Sequence, residues 1–282
     1  DWKKHGAEHR KRLARVKSRF ELGAVLADML AALEDLHVWV QAGEDWLPGY
    51  ARVRPLNGSW KGSLAVAGGE LTDTKKDLVW TRARTGAGYL NVHSLGDPGL
   101  PPEFDEALEA LADAPGLVLD LRFNGGGDET LAQKIAGRFT TERRLYSKNR
   151  YRSGPKHDDL GPVLERTFEP RGPWPYEKPV IVLQGERTMS SAESFVLMLA
   201  QCPNVTTMGS RTAGSSANPR RLELTGGIVV NLPRWHDMDP EGRPIEHAGV
   251  KPDVELAFPA EEYREDHDPL LAAALERLAR ER

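Results

Sequence analysis

Apolar residues Leu22, Val25, Leu26, Met29, Leu30, Leu33 and Leu36 recur at helical spacing behind Ser18-Arg-Phe-Glu21, which has the form of a capping box. The pattern predicts a helix that ends near His37. Before it, Trp2 to Arg19 is dominated by Lys, Arg and His and reads as one or two short solvated helices over a small apolar seam at Leu13 and Val16. Val38-Trp-Val40 then opens a stretch rich in Gly, Pro, Trp and Thr, where short strands are expected at Tyr50–Val53, Gly62–Val66 and Leu78–Arg82.

From Gly88 the pattern becomes a regular alternation. Strands are expected at Tyr89–Leu95, Gly116–Phe123, Lys178–Gln184 and Val205–Gly209, the second with the apolar character of a buried strand. Helices are expected at Phe104–Leu111, Glu129–Phe139, Ser191–Gln201 and Pro269–Arg280. Leu222–Leu224 turns through Gly226-Gly227 into Ile228–Leu232 as a hairpin. Such alternation predicts an α/β fold with a partly parallel sheet. Residues 1–42 would form an N-terminal helical subdomain, 43–86 a small β-rich connecting region, and 87–282 the α/β core with its C-terminal helix. The Pro- and charge-rich excursion at 142–177 is too long for an ordinary connection and reads as a functional or mobile loop.

Composition acts mainly by exclusion. The 282 residues carry 38 Lys and Arg against 42 Asp and Glu, a net charge of −4 with both signs mixed along the chain. Neither a nucleic-acid partner nor a basic membrane face is expected from that balance. No apolar run approaches the roughly 18 residues of a membrane span. The single Cys202 excludes an internal disulfide and a zinc–thiolate cluster. His5-Gly-Ala-Glu8-His9 fits the inverted H-x-x-E-H zinc pattern, but its place in a Lys/Arg-rich run favours a solvated face. No cofactor or metal is therefore expected. The chain opens on Asp1 rather than Met, which suggests trimming and leaves the compartment open, a secreted or periplasmic mature chain being one option. Oligomeric state is equally open, a homo-oligomer included.

Two strand-to-helix junctions concentrate the candidate chemistry, because ligands of open α/β sheets bind outside the carboxyl ends of the strands. At the first, Asp120-Leu-Arg122-Phe-Asn124-Gly-Gly-Gly127-Asp128, three glycines let the backbone turn tightly and aim N–H groups at a phosphate or an oxyanion. Thr130 breaks the G-x-G-x-x-G spacing and no Gly-Lys-Ser/Thr follows, which disfavours a nucleotide. At the second, Gly185-Glu-Arg-Thr188-Met-Ser190-Ser-Ala-Glu193, a serine stands at a helix N-terminus, where nearby N–H groups and the helix dipole favour developing negative charge. Ser190-x-x-Glu193 equally has the form of a structural capping box. A serine nucleophile needs a base, and the base an orienting group. His37, between an apolar helical stripe and Val-Trp-Val, is placed least like a solvated histidine; His93 within a strand and His247 beside Glu246 compete with it. Glu246 and Asp253 offer carboxylates in a turn-rich loop. Spacing alone does not choose among them.

Five segments together resemble, in order and separation, the C-terminal processing (tail-specific) serine peptidases, and among them the branch of the tricorn protease core. They are Leu33-Glu-Asp35-Leu-His37, Asp120-Leu-Arg122-x-Asn124-Gly-Gly-Gly127, Ser190-x-x-Glu193, Gly209-x-x-Thr212-x-Gly214 and Asp239-Pro-x-Gly242-x-Pro-Ile-Glu246-x-x-Gly249-Val-x-Pro252-Asp253-Val. The resemblance covers residues 1–42 and 87–260. It implies a ClpP/crotonase-like layered core, with Ser190 as nucleophile, His37 as base and Glu246 as the third member. It further implies an oxyanion hole made by the Ser191 N–H and by that of Gly127 or Gly126. The family's other branch uses a Ser–Lys dyad with lysine in Phe-Gly-Lys-Gly, where this chain has Ala213-Gly214-Ser215-Ser216, so the resemblance implies the histidine version. Only 50 residues, 38–87, lie between His37 and the core, too few for the family's PDZ module. Leu36 stands where the family often has a small residue. The implied substrate is a peptide or unfolded protein, bound as an extended strand. Its specificity side chains would come from the 142–177 excursion and the β region. Two other readings share the fold: a non-catalytic ligand or peptide binder, and a crotonase-like acyl-thioester enzyme.

Overall fold

Asp1 and Ser18 start the first two helices by the same device, a side-chain oxygen that accepts N–H groups a helix would otherwise leave orphaned. Asp1 Oδ1 accepts from Lys3 and Lys4 at 3.0 and 3.3 Å, and Ser18 Oγ from Glu21 at 3.1 Å. In the computed structural model, which describes residues 1–156, 158–216 and 218–280, these caps open α1 (Trp2–Leu13) and α2 (Arg19–Leu30). One 3-10 turn follows, and the helix stops where Glu34 takes a left-handed φ of 54°. It therefore ends short of Leu36, and His37 lies in the turn beyond.

Next come β1 (Trp39–Ala42), β2 (Asp45–Pro48), α3 (Trp60–Ala67), β3 (Thr72–Asp73), β4 (Leu78–Arg82), β5 (Gly88–Val92), α4 (Leu100–Ala110), β6 (Leu117–Asp120) and α5 (Glu129–Ala136). The second half runs β7 (Arg144–Tyr151), β8 (Leu164–Phe168), β9 (Val180–Gln184), α6 (Ser191–Leu199), β10 (Val205–Gly209), β11 (Arg220–Leu224), β12 (Ile228–Leu232), β13 (Trp235–Met238), β14 (Val254–Glu255) and α7 (Pro269–Arg280).

Two compact units result, one built from residues 1–53, 150–162 and 217–236, the other from 54–149, 163–216 and 237–282. In the first, an antiparallel sheet of order β11-β12-β1-β2 carries α2 on one face. Ala27 and Leu30 of the helix pack there on Val38, Val40, Ala42, Ile228 and Val230. The second unit holds a sheet of order β14-β10-β9-β6-β5-β4-β3, parallel from β14 to β5 and antiparallel at β4 and β3. Successive side chains of its central strands alternate between two cores. Leu117, Leu119, Val180 and Val182 face the layer of α4, α5 and α6, while Val118, Ile181 and Leu183 join Leu270, Leu271 and Leu275 of α7. That two-sided burial is why these strands read as unbroken apolar runs.

Three sequence expectations need correction. Gly62–Val66 is helical, within α3, because Ser59 Oγ caps it by accepting from Gly62 N–H at 3.1 Å and Gly68 closes it at φ 63°. Tyr50–Val53 forms no strand. The 142–177 excursion, expected to be a functional or mobile loop, contains β7 and β8, which pair as antiparallel strands.

Candidate active site

Between β9 and α6 the chain must reverse within a few residues, and Ser190 takes the strain. Its φ of 60° and ψ of −129° form a combination that a non-glycine residue keeps only when its surroundings over-determine it. Glu193 supplies much of that constraint. Its buried carboxylate accepts from Ser190 N–H at 3.1 Å, Thr212 Oγ1 at 2.5 Å, Gly214 N–H at 2.7 Å and Ser215 N–H at 2.9 Å. Burial pushes this carboxyl up, and the four donors work against that shift. Ser190 N–H also reaches the Ser215 carbonyl at 3.0 Å, so the serine is fastened to the 212–216 loop both directly and through Glu193.

The glycine turn after β6 lies directly against this serine. Gly126 and Gly127 have φ of 107° and 139°; a Cβ on the first would stand 2.9 Å from Ser190 Cβ, and on the second 2.3 Å from the Leu95 carbonyl oxygen. Glycine is required at both for the approach. Asn124 fixes the turn: its Nδ2 donates to the Val92 carbonyl at 3.0 Å, its Oδ1 accepts from Gly126 N–H at 2.8 Å, and its carbonyl accepts from Met189 N–H at 3.2 Å. Ser191 Oγ donates to the Gly127 carbonyl at 2.7 Å. As the first residue of α6, Ser191 has no intrahelical acceptor for its own N–H.

Beneath the turn, fully buried Arg122 ties the end of β6 to two other elements. Its Nη2 donates to Asp120 Oδ2 at 2.6 Å, Asp268 Oδ2 at 2.8 Å and Ser63 Oγ at 3.1 Å, and its Nη1 to the Asn57 carbonyl at 2.7 Å. Burial alone would raise the Asp268 carboxyl, but the charge and hydrogen bonds of Arg122 outweigh it and hold that group below the ordinary range.

Glu246 is bound to the same loop. Its Oε2 accepts from Ser216 N–H at 3.1 Å, and neighbouring His247 donates its N–H to the Gly214 carbonyl at 2.8 Å. Ser190, Ser191, Gly126, Gly127 and Glu246 thus all belong to the second unit, and the 212–216 loop touches both glutamates. His37 belongs to the first unit. There it is 8% exposed, with its N–H on Asp35 Oδ1 at 2.7 Å and its Nδ1 3.7 Å from the same oxygen. The competing base His93 lies in the second unit, its Nε2 3.8 Å from Asp77 Oδ1. In the zinc-like pattern, His5 Nε2 meets the Met29 carbonyl at 2.8 Å and His9 Nε2 meets Asp28 at 3.3 Å. Cys202 is buried behind α6, and burial pushes its thiol up to about 12.

Asp120, Arg122 and Glu193 entered the sequence reading only as parts of motifs. Asp268 stands 146 residues from Arg122 and offered no local signal. Asp35 was visible as the residue two before His37.

A family model described as Peptidase family S41 matches residues 86–256. The chain is 30% identical over 207 residues to the tricorn protease of Thermoplasma volcanium, across 72% of this chain and 18% of that protein. It is 28% identical over 159 residues to the carboxy-terminal processing protease CtpA of Bacillus subtilis, across 56% of this chain and 32% of that one. This sequence therefore spans less than a third of either relative. Among solved structures, a protein from Parabacteroides merdae described as a candidate peptidase superposes with a TM-score of 0.86 at 26% identity, over 99% of this chain and 89% of that chain.

Proposed function

Because the chain belongs to peptidase family S41, we propose that it is a serine peptidase in which Ser190 is the nucleophile, His37 the general base and Glu246 the carboxylate that orients the base. One observation supports this above the others: the strained Ser190 at the start of α6, held by a buried glutamate and packed on a glycine turn. In this reaction the Ser190 hydroxyl adds to the scissile carbonyl while His37 takes its proton. The resulting oxyanion accepts hydrogen bonds from the N–H groups of Ser191 and Gly127. Gly126 N–H is already engaged by Asn124 Oδ1, which supports Gly127 as the donor from the turn. His37 then gives its proton to the leaving amine, and water, activated by the same imidazole, releases the acyl group and restores the serine. The substrate is a peptide or unfolded protein.

A fluorophosphonate separates this reading from that of a non-catalytic binder. The parent protein is expected to be modified at Ser190 and to cleave an unfolded protein, and Ser190→Ala to do neither. His37→Gln should lower kcat by about 10²–10⁴-fold, the usual worth of a general base. A parent that is not labelled, or a Ser190→Ala variant that cleaves as fast as the parent, would refute the assignment. Thioester hydrolysis with no action on peptides would favour acyl-thioester chemistry instead.

A further inference from the structure

Residues 54–60 contain no strand, yet they are fastened across the carboxyl ends of three strands of the second unit's sheet. The Arg54 carbonyl accepts from Arg187 Nε at 3.2 Å, and Arg54 Nη1 lies 3.2 Å from Sδ of Met189, the residue before Ser190. Asn57 Nδ2 donates to the Gln184 carbonyl at the end of β9 at 2.9 Å, and the Asn57 carbonyl accepts from Arg122 just past β6. Trp60 completes the crossing, edge-on to Phe123 at 5.6 Å and to His93, just past β5, at 5.9 Å.

These rings are not closed into a core. Trp60 is 37% exposed, the His93 side chain is 39% exposed, and Phe123 is half-buried. Phe123 immediately precedes Asn124 and the three glycines, and a Cβ added at Gly125 would meet nothing within 4 Å. The partly exposed rings are thus joined in the chain, through Phe123, to the turn proposed to hold the oxyanion. An extended peptide with its scissile carbonyl at that turn lays neighbouring side chains on the adjoining surface. Edge-to-face contact with three rings rewards a large flat side chain beyond its area of burial.

We infer that Trp60, Phe123 and His93 form a specificity subsite that takes an aromatic or other large apolar side chain of the substrate close to the scissile bond. The inference rests on the serine-peptidase reading. Its test uses matched fluorogenic peptides that differ only in Phe or Ala, placed in turn at each position around the cleaved bond. At one position the parent should prefer Phe by about 10-fold or more in kcat/KM. Trp60→Ala should collapse that ratio to within about 3-fold, and Trp60→Phe should retain most of it. Phe123→Leu provides a second reading of the same ratio if Trp60→Ala does not fold. The subsite is overturned if a parent that labels at Ser190 shows no aromatic preference at any position, or if the folded variants keep the preference undiminished. Failure of the parent to label at Ser190 overturns the peptidase reading instead, so the two failures are distinguishable.

Discussion

Glu193 shows how one side chain can fix the geometry around a proposed nucleophile without reacting. Its four donors come from Ser190 and from the 212–215 loop, so a single buried carboxylate registers two segments against each other. Glu193→Ala would leave those donors without an acceptor in the interior. We expect it to lose about 3 kcal/mol or more of stability in chemical denaturation, together with fluorophosphonate labelling at Ser190. Glu193→Gln keeps the volume but turns an amide N–H₂ toward at least one backbone N–H, which cannot accept from it, so it should recover the fold only in part and the labelling hardly at all. At this scale the sequence was informative where partners are close in the chain. Ser190 and Glu193 stand three residues apart, and the pair could be read as a cap. That the carboxylate also holds Thr212, Gly214 and Ser215 depends on a loop about twenty residues away, which no local pattern connects to it.

At the scale of elements, Arg122 does for three segments what Glu193 does for two. It joins the end of β6 to Ser63 of α3 and to Asp268, whose Oδ1 also accepts from Leu271 N–H at 3.0 Å in the first turn of α7. Arg122→Met would leave Asp120 and Asp268 buried without their counter-charge. The expected loss is about 3–5 kcal/mol, measurable as a lower denaturation midpoint with an unchanged slope. The strands and helices around this ion cluster were largely legible, since β6, β9 and α7 carry strong apolar patterns. Helix α3 was not, because Gly62, Val66 and their neighbours resemble a short strand when the Ser59 cap is overlooked. The hairpin of β7 and β8 was hidden by its charge: Arg144, Lys148, Arg150, Glu165 and Arg166 interrupt the alternation that marks a half-buried strand.

For the molecule as a whole, two buried carboxylates pull stability in opposite directions with pH. Asp237 is 2% exposed; its Oδ1 accepts from Ser147 Oγ at 2.7 Å and its Oδ2 is buried with no hydrogen-bond partner among the described residues. Burial pushes it up to about 6. The folded protein then binds a proton that the unfolded chain has released between about pH 4 and pH 6, so this group's contribution is fully present below about pH 4 and is lost as pH rises through 6. Asp268, held low by Arg122, contributes stability above the unfolded value near 4, and that contribution is lost as pH falls. Comparing Asp237→Asn with the parent isolates the first effect. The variant should gain roughly 2–3 kcal/mol relative to the parent between pH 4 and pH 7.5, read from denaturation at each pH. A difference that stays constant across that range would show that Asp237 titrates normally in the folded protein.

The sequence by itself determined the α/β class, most of the core elements and the two strand-to-helix junctions, while the choice of nucleophile, base and oxyanion donor rested on the family resemblance. It could do so because periodicity, caps and glycine turns are written within a few residues of one another. Only the tertiary structure decided that Arg122 meets Asp268, that Glu193 meets the 212–215 loop, that Glu246 meets Ser216, and that residues 54–60 cross the ends of β9, β6 and β5. Those contacts follow from the order and register of the strands. Order and register come from long-range burial of both sheet faces, a property that no short stretch of the chain possesses.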